Sequence, residues 1–268
     1  MSDRVCPYCG VQLGPRAVDM RGAQFAAAFL PRANTTSLVI LVINIVVFVL
    51  ELLVNYRLFG NGPQFLDTRT LILMGAKFGP AIQAGQYWRL VTAGFLHGGF
   101  LHIAMNSWVL YDLVGEVEQF YGTSRLIVAY ILSTITGFWL SNIWHPGSPS
   151  MGASAACFGL IGIMLAMGLR DRSDPLAQAV RSYYGRWVVY AIVFSFLPGI
   201  DIAAHLGGLA GGFAVGWLGG LPRQPGSSSE KFWFGLAGVA LAVTAYSFFM
   251  DLYFFQKMAL HLTAFLGL

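Results

Sequence analysis

Charged side chains are scarce in this sequence. Only 10% of its 268 residues are Asp, Glu, Lys or Arg while 56% are hydrophobic, whereas ordinary soluble domains carry about a quarter charged residues. That balance argues against a soluble globular domain and puts the chain in the membrane class. Cysteine is rarer still. Cys6, Cys9 and Cys157 are the only three, and Cys157 lies inside an apolar run, so no disulfide framework is expected and the redox compartment stays open. The first 36 residues contain no early apolar core, so a cleaved signal peptide is not expected and the first apolar run reads as a retained anchor. The net charge of +4 does not call for a nucleic-acid partner, because the 16 Lys and Arg lie near the ends of apolar segments, where they flank membrane spans.

Long apolar sequence, in contrast, is abundant. A bilayer-crossing helix needs about 20 mostly apolar residues, with about 17 as the lower limit. Seven candidates follow: Ser37–Val54, Phe100–Val117, Leu126–Ile143, Ala153–Leu169, Trp187–Leu197, Ala203–Gly219 and Phe232–Met250. The fifth is short, so its helix is predicted to begin earlier, within Leu176–Arg186. Between the first two spans, Leu71–His97 is apolar but broken by glycine and reads as a structured loop in the membrane interface. The Pro, Gly and Ser stretch Leu221–Glu230 reads as a linker that isolates the seventh span. Counting Lys and Arg in alternate loops gives 11 on the side of the N-terminus and 5 on the other. This predicts a cytoplasmic N-terminus and an external C-terminus.

Polar groups inside membrane spans are costly and therefore mark candidate functional positions. Ser154, in Gly152-Ala153-Ser154-Ala155, opens the fourth span, and its ordinary role would be a helix N-cap. His205, in Ala204-His205-Leu206-Gly207-Gly208, opens the sixth span, where a lone histidine is ordinarily a packing residue. The fourth and sixth spans run in the same direction, so the two side chains are predicted at matched depth. That pairing is the minimum apparatus of nucleophilic catalysis. Gly208, Gly212 and Gly216 make one smooth face below His205, and Gly159 and Gly162 lie below Ser154. Small residues at this spacing let helices approach closely in lipid. On the second span, His102 and Asn106 share a helix face. They fit a pair of oxyanion donors and fit interhelical packing equally well. Trp88-Arg89, just ahead of that span, reads as an interfacial anchor.

Taken in order, Trp88-Arg89, His97, His102 and Asn106, Glu118-Gln119-Phe120-Tyr121-Gly122, Gly152-Ala153-Ser154 and Ala204-His205-Leu206-Gly207-Gly208 resemble the rhomboid family of intramembrane serine proteases. The resemblance covers about residues 37–220. It implies an all-α polytopic membrane protein with a rhomboid-like six-helix core and one additional C-terminal transmembrane helix. The implied organisation is an N-terminal cytoplasmic segment, 1–36, the catalytic core, 37–220, a linker, 221–231, and a seventh helix with tail, 232–268. By the same resemblance Ser154 is the nucleophile and His205 the base. The Ser154 N–H, His102 and Asn106 form the oxyanion hole, Phe158 stacks on His205, and Trp88 and Arg89 belong to the structured first loop. Glu118 is implied to make a structural polar contact near Arg125. No acidic third member is implied, and Asp201 is at most a weak candidate.

The expected activity is hydrolysis of peptide bonds in or beside transmembrane helices of membrane-protein substrates, with no cofactor and with the lipid bilayer as surroundings. The expected location is a cell's inner or plasma membrane. An alternative is a rhomboid-like pseudoprotease that binds membrane clients without cutting them. Two features depart from the family pattern. Ala155 follows the nucleophile where the family usually has glycine. The N-terminal Cys6-Pro7-Tyr8-Cys9 resembles half a zinc ribbon, but a closed structural zinc site needs four ligands, so Cys6 and Cys9 are weak metal candidates.

Overall fold

The computed structural model describes residues 35–60, 66–170, 173–222 and 226–266, with side chains as far as Lys257. Cys6 and Cys9 lie outside the described residues. The described chain is helical, and its only strand-like pairing is an isolated bridge between Lys77 and Ser150.

Helix α1, Thr35–Phe59, buries Ser37, Asn44, Phe48, Glu51 and Asn55 and exposes Val42 and Leu53 among other apolar side chains. Polar residues face inward and apolar residues outward, the reverse of a soluble helix, because hydrocarbon offers polar groups no partner. The loop after it is built from α2, Thr68–Leu73, α3, Gly79–Gln83, α4, Arg89–Thr92, and the 3-10 turn Ala93–Phe95. The expected interfacial loop is thus a folded unit. Arg89 is buried inside it rather than anchoring at a surface. Its guanidinium donates to the carbonyls of Ile72 at 2.6 Å and Ala76 at 3.0 Å.

Helix α5 runs from Phe100 to Trp144 over 45 residues. At 1.5 Å per residue that is about 68 Å, over twice the hydrocarbon thickness of about 30 Å, so it must supply two spans. It bends at Gly122, whose φ of 76° and ψ of 162° leave the helical region. Then follow α6, Ser154–Arg170, α7, Pro175–Phe194, α8, Ile202–Gly219, and α9, Ser228–Leu266. The early start of the fifth span is observed: Asp174 caps α7 by accepting from Leu176 N–H at 3.0 Å, and Pro175 occupies its first turn. With these helices the protein is a multi-pass integral membrane protein.

Helix α6 lies at the centre, with 13 of its 17 residues buried. Helix α8 packs on it through glycine. A Cβ at Gly208, Gly212 or Gly216 would collide in turn with the carbonyls of Ala155, Gly159 and Ile163. The collisions step down α6 by four residues each time, so the two backbones are in contact along two turns.

The seventh helix is packed on the core, contrary to its expected isolation by the linker. Glu230, in its first turn, takes a bidentate ion pair from Arg125 at 2.7 and 2.8 Å, and Arg125 is 1% exposed. Farther along α9, Phe248 meets Phe95 at 5.2 Å and Phe254 meets Trp88 at 4.7 Å between ring centroids. Glu118 makes its anticipated structural polar contact close to Arg125 in sequence, at Thr123. Glu118 accepts hydroxyls from Thr36 at 2.7 Å and Thr123 at 2.5 Å, and the carboxylate that pairs with Arg125 is Glu230.

Candidate active site

Ser154 begins α6 and His205 is in the first turn of α8. The glycine contact between these helices brings His205 Nε2 to 2.9 Å from Ser154 Oγ. This is within the reach needed for proton transfer from a serine to an imidazole. Phe158, one turn below Ser154, stacks on the His205 ring at 4.1 Å with planes 15° apart. Ring stacking limits tilt of the imidazole, and burial of both rings excludes water from that side.

Above the dyad, the loop and α5 supply donors. Gly98 N–H donates to His102 Nδ1 at 3.2 Å. That nitrogen is therefore an acceptor, and in a neutral ring the proton is then on Nε2, which becomes a donor. Asn106 is 7% exposed, and its Nδ2 has no hydrogen-bond partner among the described residues. Both groups converge on Gly152. A Cβ there would lie 2.6 Å from His102 Nε2 and 3.5 Å from Asn106 Nδ2, and Gly152 has φ +127°. Only glycine fits such a conformation without strain. The Gly152 N–H is itself fixed by the Ala93 carbonyl at 2.9 Å. The first N–H groups of α6, Ser154 among them, have no partner within the helix. Two side-chain donors thus meet at Gly152, two residues before Ser154.

His97 supports this cluster from behind. Its backbone N–H donates to both Glu51 oxygens at 3.1 and 3.3 Å, and its ring meets His102 edge-on at 5.2 Å. Burial, and then the neighbouring His102, push the His97 imidazole down to about 3. It is therefore neutral at ordinary pH. On the other side of the site, Lys77 gathers the carbonyls of His145 at 2.9 Å and Ser148 at 2.7 Å. This ties the first loop to the segment leading into Ser154.

Asp201 does not touch the imidazole as a third member would. Its carboxylate caps α8 by accepting from Ala204 N–H at 3.0 Å and also accepts from the Ser141 hydroxyl. The group on the far nitrogen is one the sequence reading missed: Ser195 Oγ, 2.6 Å from His205 Nδ1. Ser195 follows the last residue of α7, where a serine between two phenylalanines carries no pattern signal. One chemical clue existed. A base using Nε2 needs a partner for Nδ1, and the turn before His205 holds only Ser195 and Asp201 as polar side chains.

Among the described residues no group of three His, Cys, Asp or Glu is placed to hold a metal ion. The family model described as Rhomboid domain matches residues 84–222, which contain every side chain of the site except Glu51 and Lys77. The chain is 35% identical over 198 residues to rhomboid protease GluP of Bacillus subtilis, covering 72% of this chain and 38% of that protein. It is 36% identical over 152 residues to rhomboid-like protease 3 of Toxoplasma gondii, covering 56% and 58%. It is 33% identical over 156 residues to rhomboid-type serine protease 2 of Emericella nidulans, covering 57% and 30%. The chain therefore spans less than two thirds of the length of each.

Proposed function

The chain belongs to the rhomboid family, and on that premise we propose that it is an intramembrane serine endopeptidase acting on transmembrane helices through Ser154 and His205. The observation that carries this reading is the 2.9 Å contact between Ser154 Oγ and His205 Nε2, beside which His102 and Asn106 converge on Gly152. His205 takes the Ser154 proton as Oγ attacks the scissile carbonyl. The negative charge that develops on the carbonyl oxygen is met by His102 Nε2–H, Asn106 Nδ2 and the Ser154 N–H. His205 then passes the proton to the leaving amine, and the C–N bond breaks to leave an acyl group on Ser154. Water attacks that ester, its proton goes to His205, and the acid product and the Ser154 hydroxyl are released. A helical substrate hides its peptide bonds, so small and helix-destabilising residues near the cut favour the reaction.

A fluorophosphonate probe tests this directly. The native chain reacts at Ser154, whereas Ser154→Ala and His205→Ala do not. Because the two act as one unit, single and double variants fall to the same residual cleavage. Asn106→Ala lowers turnover by about 10²–10³ and leaves substrate binding largely intact. A native chain that stays unlabelled but captures single-span proteins would instead support the client-binding alternative.

A further inference from the structure

We infer that Ser195 is the positioning residue of the base: it holds His205 in the one tautomer that can receive the Ser154 proton. The inference rests on reading Ser154 and His205 as nucleophile and base. To accept a proton at Nε2, the neutral ring must carry its hydrogen on Nδ1. An imidazole free in water does not hold that form uniquely, so something must select it. Ser195 Oγ is 2.6 Å from Nδ1.

A hydroxyl can donate or accept, and only acceptance selects the useful tautomer. The hydrogen of Ser195 is already committed. Its Oγ lies 2.6 Å from the Ala191 carbonyl, one turn back on α7, a bond that serines near helix ends commonly make. With its hydrogen placed there, the oxygen offers only lone pairs to the ring. The bonds therefore run in one direction, from Ser154 O–H to Nε2, from Nδ1–H to Ser195 Oγ, and from Ser195 O–H to the Ala191 carbonyl. Both members are sheltered, with Ser195 2% and His205 6% exposed, so water is a poor substitute. Phe158 stacking fixes the plane of the ring but is indifferent to which nitrogen is protonated. Asp201, the nearby carboxylate, is turned to the α8 cap and to Ser141. A neutral hydroxyl from the end of the fifth span therefore does what a buried carboxylate does in a Ser-His-Asp triad, orienting the base without adding charge.

The test uses the full chain reconstituted in liposomes, with a fluorogenic single-span peptide carrying Ala and Gly near one membrane face. Ser195→Ala is expected to lower kcat by about 5- to 100-fold, the range for leaving a buried donor unpaired, with KM within about twofold. Fluorophosphonate labelling of Ser154 should slow in parallel. Ser195→Thr and Ser195→Val have nearly the same shape, so any effect of crowding is common to both. The threonine variant should be at least about fivefold faster, because it alone keeps a hydroxyl. A wild-type kcat in Ser195→Ala, or a threonine variant no faster than the valine one, overturns the assignment. A wild-type chain that neither labels nor cleaves overturns the protease reading and this assignment with it.

Discussion

Ala155 shows how one methyl group is absorbed beside a nucleophile. The residue is fully buried with Ala93, Phe138 and Ala204, and its Cβ points at Gly137 on the second half of α5. A Cβ at Gly137 would lie 2.8 Å from it and 2.6 Å from the Ala204 carbonyl. Room for the methyl is thus supplied by a glycine on the third span, while Gly208 of α8 packs against the Ala155 backbone. Ala155→Gly loses one buried methyl, about 0.8 kcal/mol, and a helix preference of about 0.8–1.0 kcal/mol. It should destabilise the protein by about 1–2 kcal/mol while changing the labelling rate at Ser154 less than tenfold. Gly137→Ala should lower stability by about 1–3 kcal/mol through overpacking, and activity should fall with it because the displaced carbonyl adjoins His205. Thermal unfolding in detergent and labelling of both variants check this. A Gly137→Ala protein as stable and reactive as the parent would mean that the two helices are less closely packed than described.

The same contrast in local signal explains what was legible at the level of elements. Ser154, His205 and the glycine ladder are polar or small residues in apolar runs, and the shared direction of the fourth and sixth spans put the two side chains at matched depth, whereas the site role of Asn106 came from the family resemblance. Ser195 and Glu230 escaped, because their partners are set by tertiary packing. Arg125 and Glu230 are 105 positions apart, and Ser195 makes an ordinary bond to its own helix before it serves His205. Asp201 was visible, but its role was not: it organises the start of α8. Burial raises this carboxyl, yet hydrogen bonds from Ser141, Ser150 and Ala204 and the charge of Lys77 outweigh burial and leave it below the ordinary value. A carboxyl depressed in the folded state contributes stability that is present above its unfolded pKa, about 3.9, and is lost as pH falls through the folded value. Wild-type unfolding temperature should therefore drop below about pH 4 more steeply than that of Asp201→Asn, which keeps a capping oxygen but cannot titrate. Asp201→Ala should cost about 1 kcal/mol at neutral pH as well. Parallel acid limbs for wild type and the asparagine variant would assign the pH dependence to another group.

With α5 counted as two, the described helices supply the seven spans expected from the sequence, an odd number, so the start of α1 and the end of α9 are expected on opposite sides of the bilayer. Which side is which follows from charge. Arg125, Arg170 and Lys231 are at the ends of helices away from Ser154, and two of them are held there, Arg125 by Glu230 and Arg170 by the Trp217 carbonyl at 2.6 Å. The dyad end carries the folded first loop, whose Lys77 and Arg89 are buried and bound to carbonyls. Buried cations bound in that way are not free to act as topology signals in the sense of the positive-inside bias. Setting aside the two buried cations, Lys77 and Arg89, leaves Arg57, Arg69 and Lys257 against 11, and the end opposite Ser154 is the expected cytoplasmic one. The proposed dyad then opens to the non-cytoplasmic side, where water can reach it without crossing the hydrocarbon. Reporter fusions after α9 should be active only outside the cytoplasm, and fusions in the turn between α6 and α7 only within it. A fusion after α9 that reports from the cytoplasm would mean that α9 does not cross, although Glu230, Phe248 and Phe254 pin it to the core at both ends. The accessible face of the site would then have to be assigned from the α6–α7 turn alone.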